Sequence, residues 1–141
     1  MNETNPEILR KVKQWLVFAD EDLRIAVKTL DDTENCPYRL VAYHAQQCSE
    51  KYLKAFLVFH SIDFPYTHNI RRLLKLCAEK ADWTGRLENA AELTSYAITA
   101  RYPGEDADVS GQEAVQAVEI AQLVRKQIRK SLKQLGVDIS S

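Results

Sequence analysis

One stretch of the sequence, residues 43–54, carries four side chains of different chemistry at helical spacing. Tyr43, Gln47, Glu50 and Lys54 supply a phenol, an amide, a carboxylate and an ammonium. They fall within roughly 60° of one another on a helix that turns about 100° per residue. Two interpretations fit this face: the polar wall of a ligand groove, or a solvated surface with a Glu50–Lys54 pair four residues apart.

A second candidate site is the segment Arg101-Tyr102-Pro103, at the predicted end of a helix. Proline disfavours helical backbone in the residue before it, so the chain is expected to turn directly after Arg101. The Arg101 guanidinium can then hold a phosphate or a carboxylate through two parallel hydrogen bonds. It can equally bind the last carbonyl groups of its own helix.

Two further polar residues are candidate ligand contacts. His68 follows Thr67 at the predicted start of a helix, where it can face an anion or fix the turn by a hydrogen bond. Asp22 borders the apolar face of the first predicted helix and is expected to be a partly buried acid. Arg101 or Lys54 is its expected partner.

A metal site and a cofactor are not predicted. His44 and Cys48 are four residues apart, but a tetrahedral zinc site needs three or four clustered ligands. Cys48 lies on an apolar stripe and is expected to be buried as a small hydrophobic residue. The sequence also has no glycine-rich phosphate loop, no G-x-S-x-G motif and no zinc-protease helix, which excludes the commoner enzyme classes.

The elements that must position these residues are helices. Gly and Pro number only eight of 141 residues, and apolar residues repeat at steps of three and four. The pattern predicts helices over about 6–30, 38–61, 69–81, 86–100 and 111–135. Their expected N-caps are Asn5, Thr67 and Thr84, with a Ser110–Glu113 capping box on the last helix and Gly136 after it. We therefore expect an all-α fold, an antiparallel up-and-down bundle of about five helices. It forms a single domain over residues 1–141 with its core at about 6–135.

Charge and cysteine content restrict the compartment and the partners. Nineteen basic and twenty acidic residues give a net charge of −1, so no general attraction to DNA is expected. Three widely spaced cysteines argue against a disulfide framework, and no apolar run approaches the roughly 20 residues of a membrane span. We expect a cytoplasmic protein without membrane contact.

A basic stripe at residues 125–133 either complements the helix dipole or binds an anion or a partner.

Several apolar side chains lie outside the predicted core stripes. Trp15, Leu16 and Phe18 span a broad arc of the first helix, and Leu53 and Leu57 lie off the stripe of the second. This excess of apolar surface predicts a homodimer with a standard-sized interface.

Residues 43–55, YHAQQCSEKYLKA, resemble the central helix of the HEPN family, whose name stands for higher eukaryotes and prokaryotes nucleotide-binding. Residues 15–26, W-x3-A-x2-D-L-x2-A, resemble the first helix of that family. Residues 67–74, with THNI followed by Leu73-Leu74, resemble the start of its third helix. Residues 96–103, Y-x4-R-Y-P, resemble the end of its fourth. The four pieces occur in the family's order and span about residues 15–130.

The resemblance implies a helical bundle that pairs into a dimer and is associated with nucleotides or RNA. Many such domains are encoded beside a minimal nucleotidyltransferase, as toxin–antitoxin or related systems. A catalytic subset cleaves RNA with an R-x4–6-H motif after the fourth helix, in which the arginine and histidine assist attack by the ribose 2′-hydroxyl.

This chain departs from the catalytic subset at the histidine. Arg101 matches the arginine of the motif, but the positions for histidine hold Asp106, Ala107 and Asp108. The two acids would repel a phosphodiester. The literal R-x4-H match, Arg39 to His44, separates its side chains by roughly 140° around a helix, so they cannot converge within one chain.

The sequence therefore predicts a non-catalytic nucleotide- or RNA-associated binding module, a homodimer that partners a minimal nucleotidyltransferase. It has no catalytic residue, and its expected ligand contacts are Arg101, Tyr102, Gln47, Glu50, Lys54, His68 and Asp22. One alternative is a metal-independent ribonuclease toxin that uses Arg101 with His68. The other is a helical adaptor that binds no ligand.

Overall fold

The computed structural model describes residues 5–32, 34–99 and 108–140. These residues form α1 (Pro6–Leu30), α2 (Tyr38–Phe59), α3 (Ile70–Cys77), a 3₁₀ segment (Thr84–Leu93), α4 (Thr94–Thr99) and α5 (Gly111–Gln134). The described ranges contain no β-strand, so the predicted all-α fold is confirmed.

The ends of α1 and α5 follow the predicted capping chemistry. The Asn5 side chain accepts a hydrogen bond from the backbone N–H of Glu7 at 2.7 Å, which caps α1. Ser110 Oγ accepts from the N–H of Glu113 at 3.1 Å, and the Glu113 carboxylate accepts from the N–H of Ser110 at 3.0 Å. Beyond α5, Gly136 has a φ of +95°, the left-handed conformation that a helix needs at this position and that glycine adopts without strain.

The third and fourth predicted helices differ from expectation. Asn69, rather than Thr67, caps α3, because its side chain accepts from the N–H of Arg72 at 3.1 Å. Thr67 Oγ1 accepts from the N–H of Asn69 instead. The region expected to form one helix from Arg86 to Ala100 begins as the 3₁₀ segment at Thr84, so Thr84 is part of the helical turn and not its cap. Leu87 interrupts it with φ −107° and ψ 15°, which breaks the regular α-helical geometry.

Helix α2 is the centre of the molecule and packs most extensively against α1 and α5. Trp15 of α1 contacts Lys54 late in α2, whereas Asp22, further along α1, contacts His44 early in α2, so these helices are antiparallel. Leu16, Leu53 and Leu57 are buried in the core of this chain, so they cannot form the predicted dimer surface.

Among the described residues, no helix has the length and apolar character needed to cross a membrane.

Candidate functional site

Glu50 is the centre of a buried polar cluster on α2. One carboxylate oxygen, Oε1, accepts hydrogen bonds from Gln46 Nε2 at 3.0 Å and from His68 Nδ1 at 2.8 Å. The other, Oε2, accepts from Lys54 Nζ at 2.8 Å. The Glu50–Lys54 pair forms as predicted, but it is not solvated: the two residues are only 3% and 6% exposed. The expected solvent-facing surface at these two positions is therefore wrong.

Two aromatic rings cover this ion pair. The Lys54 ammonium lies 5.6 Å from the ring centres of both Trp15 and Phe64, a distance at which a cation is attracted to the face of a ring. The two rings meet edge to face at 6.5 Å. Trp15 comes from α1 and Phe64 from the loop after α2, so two separate parts of the chain shield one ammonium group.

The electrostatics of the cluster hold Glu50 in its charged form. Burial on its own would raise the pKa of the Glu50 carboxyl group, but hydrogen bonds from Lys54, His68 and Gln46 outweigh burial and lower that pKa below its ordinary value. Glu50 is therefore an anion at neutral pH with its acceptors engaged. That state suits a residue that positions its neighbours rather than one that transfers protons.

Gln46 is a member of the cluster that sequence reasoning missed. Its amide nitrogen donates to Glu50 and also to the backbone oxygen of His68 at 3.3 Å, and the residue is completely buried. Its amide oxygen accepts from Gln47 Nε2 at 2.7 Å. The available signal was its position four residues before Glu50, which places both on one face of a helix. Glu50, Lys54, His68 and Gln47 thus share one hydrogen-bonded chain.

Asp22 belongs to a different cluster. It accepts hydrogen bonds from His44 Nδ1 at 2.8 Å and from Lys51 Nζ at 2.5 Å. The expected pairing with Lys54 is wrong, since Lys54 pairs with Glu50. Asp22 is nevertheless buried, as expected. The other expected partner, Arg101, and its neighbour Tyr102 lie in residues 100–107, outside the described residues.

A third cluster joins three helices around Asp20 and was not predicted. The Asp20 carboxylate accepts from the hydroxyl group of Tyr52 on α2 and from Arg125 Nε of α5 at 3.0 Å. Arg129 Nη1 reaches the same carboxylate at 3.4 Å. Burial, followed by the hydrogen bond to Asp20, raises the pKa of the Tyr52 hydroxyl group. Two cations of the basic stripe therefore hold the bundle together, while Lys126 and Lys130 are exposed.

The cysteine and histidine placed at metal-ligand spacing have separate surroundings. Cys48 is completely buried, as predicted, and burial raises the pKa of its thiol. His44 turns its ring toward Asp22. No group of three or more His, Cys, Asp or Glu residues with the geometry of a metal site occurs in residues 5–32, 34–99 and 108–140.

Two imidazole–carboxylate pairs border the outer edge of α2. His44 and His68 each direct Nδ1 at a carboxylate, Asp22 or Glu50, and both rings are partly exposed. A carboxylate on one ring nitrogen fixes the orientation of the imidazole and leaves Nε2 as the second polar atom of the ring. Together with Gln47, which lies three residues after His44 on α2, these groups can form hydrogen bonds with a polar ligand.

Comparison with known proteins identifies the family. The HEPN domain profile matches residues 12–131, and the chain belongs to the HEPN domain family. The crystal structure of TT1696 from Thermus thermophilus is similar over 85% of this chain and 97% of that one, with 27% identity and a TM-score of 0.71. ST0689, described as an archaeal HEPN homologue, has the same fold over 85% and 96% of the two chains, with 22% identity and a TM-score of 0.67. The search of curated proteins gave no match.

Proposed function

We propose that this HEPN domain is a non-catalytic binding module for a nucleotide or RNA. It acts in the cytoplasm as a homodimer and partners a minimal nucleotidyltransferase, in a system of the toxin–antitoxin kind. The observation that carries the proposal is the Glu50 cluster: its charges are paired internally, and Lys54, His68 and Gln46 all donate to one carboxylate. The cluster is thus built to hold the outer polar groups, Gln47 and the His68 ring, in fixed positions.

The absence of a histidine after Arg101 supports a binding role over RNA cleavage. The relevant positions hold Asp106, Ala107 and Asp108, and two carboxylates there would oppose the approach of a phosphodiester. A binding module needs no proton transfer. An arginine side chain is sufficient to hold a phosphate group through a bidentate contact.

A binding experiment with Arg101→Ala tests the proposal. Titration of ATP, AMP and a short mixed-sequence RNA should show binding that this variant weakens by about 1.5–3 kcal/mol, the range for a charge-assisted contact. Arg101→Lys should recover only part of the loss, because an ammonium group cannot form the two parallel bonds. Arg86→Ala, which removes another exposed arginine, should bind like the parent chain. Absence of binding to all three probes would favour the ligand-free adaptor.

A ribonuclease remains the second candidate, and one observation favours it. The His68–Glu50 and His44–Asp22 pairs have the arrangement in which a carboxylate orients an imidazole for general base catalysis. Purified protein incubated with mixed RNA and no added metal tests this function. We expect no cleavage. Cleavage that yields a 2′,3′-cyclic phosphate and is lost in Arg101→Ala or His68→Ala would establish the nuclease instead.

The predicted partner can be tested without knowledge of the ligand. Co-expression with a minimal nucleotidyltransferase encoded beside this chain should yield a complex that survives size-exclusion chromatography. The measured mass should account for two copies of the HEPN domain. Two separate elution peaks, or a neighbouring gene unrelated to nucleotidyltransferases, would contradict the proposed partnership.

A further inference from the structure

Helix α3 presents an exposed basic surface outside the Glu50, Asp22 and Asp20 clusters. Its sequence, IRRLLKLC, contains three cations and no acid. Arg71, Arg72 and Lys75 are all exposed and lie on the side of the helix opposite its buried residues, Ile70, Leu73, Leu74 and Cys77. Arg71 has a carboxylate neighbour, Glu88, but the two exposed side chains are 3.9 Å apart, a geometry that contributes little. We call Arg71, Arg72 and Lys75 the basic face of α3.

Two of these cations, Arg71 and Arg72, do not serve the stability of the helix, whereas Lys75 lies in its last turn, where a cation is favourable. Arg71 and Arg72 lie in the first turn of α3, which contains no acid, and the positive end of the helix dipole repels cations there. Two backbone donors of that turn also have partners within the fold. Asn69 accepts from the N–H of Arg72, and Thr94 accepts from the N–H of Ile70. The arginines therefore point to an interaction of their side chains with something outside the fold.

An exposed aromatic ring stands directly before this helix. Tyr66 is 93% exposed, the highest value among the large apolar and aromatic side chains of the described residues. Its ring meets the His68 ring edge to face at 5.8 Å. His68 is anchored on Glu50, and Phe64 packs against Trp15. The chain on both sides of Tyr66 is thus anchored to the core, and the Tyr66 ring itself is open to solvent.

We propose that Tyr66 and the basic face of α3 form a docking surface for single-stranded RNA. The proposal rests on the proposed function and extends it to a surface that does not include Arg101. The cations are suited to backbone phosphates, and the exposed ring of Tyr66 is suited to stacking with an unpaired base. An acidic peptide would satisfy the cations but would leave the ring of Tyr66 without a stacking partner.

The distances between Tyr66 and the cations of α3 suit a single strand of a few nucleotides. Tyr66 and Arg71 are five residues apart, so their Cα atoms are separated by at most about 18 Å. Arg71 and Lys75 are about 6 Å apart along the helix axis. A duplex would hide the base faces that Tyr66 contacts, whereas a single strand leaves them accessible.

Fluorescence anisotropy with a short labelled RNA of mixed sequence tests the surface. Replacement of the three cations, R71Q/R72Q/K75Q, should weaken binding and reduce the slope of log K against log salt concentration by about 2, the value for three lost phosphate contacts on a single strand. Tyr66→Ala should weaken binding about tenfold, whereas Tyr66→Phe should bind like the parent. The control R86Q/K11Q/K13Q removes the same charge from exposed positions elsewhere and should retain binding.

The remaining outcomes separate this inference from the proposed function. RNA binding that responds to Arg101→Ala but not to the α3 or Tyr66 variants would overturn the docking surface and leave the proposed function intact. Equal losses in the α3 triple variant and its control would also overturn it, since only net charge would then matter. Tighter binding of duplex RNA, or of a polyglutamate peptide, would likewise refute a surface for unpaired bases. If the α3 triple variant and Tyr66→Ala lose RNA binding while Arg101→Ala does not, the result would support the docking surface and count against the Arg101 site.

Discussion

Glu50 and Lys54 form an ion pair that is almost completely buried. Removing a charge from water is costly, and the attraction between two buried charges compensates for that cost only when further hydrogen bonds complete the site. Here Gln46 and His68 donate to Glu50, and the Trp15 and Phe64 rings face Lys54. The two charges therefore stabilise each other, and removal of either one is expected to destabilise the folded protein.

The first prediction concerns that dependence. Glu50→Ala should lower the free energy of unfolding by about 3–5 kcal/mol, because it leaves the Lys54 ammonium buried without a counter-charge. The neutral double variant Glu50→Gln/Lys54→Met should recover most of the loss, since Met fills the space beside Trp15 and Phe64 without a charge. Urea unfolding at pH 7 measures both. Glu7→Ala, which breaks an exposed pair with Arg10, is the control and should leave the midpoint almost unchanged. Equal destabilisation in the single and double variants would contradict the argument.

The second prediction concerns His60, the residue that follows α2. Its Nε2 atom is buried with no hydrogen-bond partner among the described residues, and the Phe56 and Phe59 rings pack against it. Burial, together with the charge of Lys80, lowers the pKa of His60 below its ordinary value of 6.5. The unfolded chain therefore binds this proton at a higher pH than the folded chain does. The stability that His60 contributes is complete above pH 6.5 and decreases as the pH falls below it.

Urea unfolding of the parent and His60→Leu across this range measures the effect. At pH 7.5 the free energy of unfolding of His60→Leu should equal that of the parent or exceed it by about 1 kcal/mol, because an unpartnered buried nitrogen is removed. The advantage of the variant should grow as the pH falls toward 5. Because His44 and His68 are present in both proteins, the difference between the two curves isolates His60. If the free energies of unfolding of the parent and the variant change with pH in parallel, the environment of His60 in the folded chain does not alter its proton binding, and the prediction is wrong.

Single residues also show where sequence reasoning succeeds and where it stops. The helical period placed Glu50 and Lys54 together, because positions four apart on a helix are neighbours in any fold. Their burial depends on Trp15 and Phe64, which lie 39 residues before and ten residues after Lys54 in the sequence. The partners of Asp22 were missed for the same reason. His44 and Lys51 lie on α2, and a helical period does not specify which residues of two helices meet.

Among the helices, those with complete capping signals were predicted closely. Helix α5 has both halves of its capping box and the left-handed Gly136 at its other end, and such interactions are local. In the region from Thr84 to Thr99, by contrast, packing against the rest of the fold determines the backbone geometry. Trp83, directly before this segment, and Leu87, within it, are both buried. The irregular backbone at Leu87 is a consequence of that packing rather than of a turn motif in the sequence.

The third prediction compares two glycines in different backbone states. Gly136→Ala should cost about 1 kcal/mol, because its φ of +95° is a conformation that an alanine side chain opposes. Gly85→Ala lies in the 3₁₀ segment at an ordinary φ, and an added Cβ atom there meets nothing within 4 Å. It should raise stability by about 0.4–1 kcal/mol, because alanine has less conformational freedom to lose on folding. Thermal unfolding measures both, and a change of the same sign in the two variants would refute the distinction.

For the whole molecule, the homodimer stays a prediction, and the structure changes the surface expected to form it. The buried Leu53 and Leu57 are unavailable, but α1 exposes four large apolar residues: Val17, Phe18, Ile25 and Val27. Phe18 and Ile25 are 43% and 46% exposed and lie seven residues apart, so they share one face of the helix. A helix face of this kind can contact the same face of a second copy about a twofold axis.

The fourth prediction follows from this surface. The parent chain should have twice its 16.1 kDa mass in light scattering at micromolar concentrations, since a stable dimer buries on the order of 1,200–2,000 Å². Phe18→Ser/Ile25→Ser should reduce the mass to that of one chain without loss of helical circular dichroism, because both side chains are outside the core. Val115→Ser/Leu123→Ser removes two exposed apolar residues from α5 and should leave the dimer intact. If the α5 variant dissociates and the α1 variant does not, the twofold axis passes beside α5. A monomeric parent chain would mean that the apolar face of α1 does not join two copies of this protein.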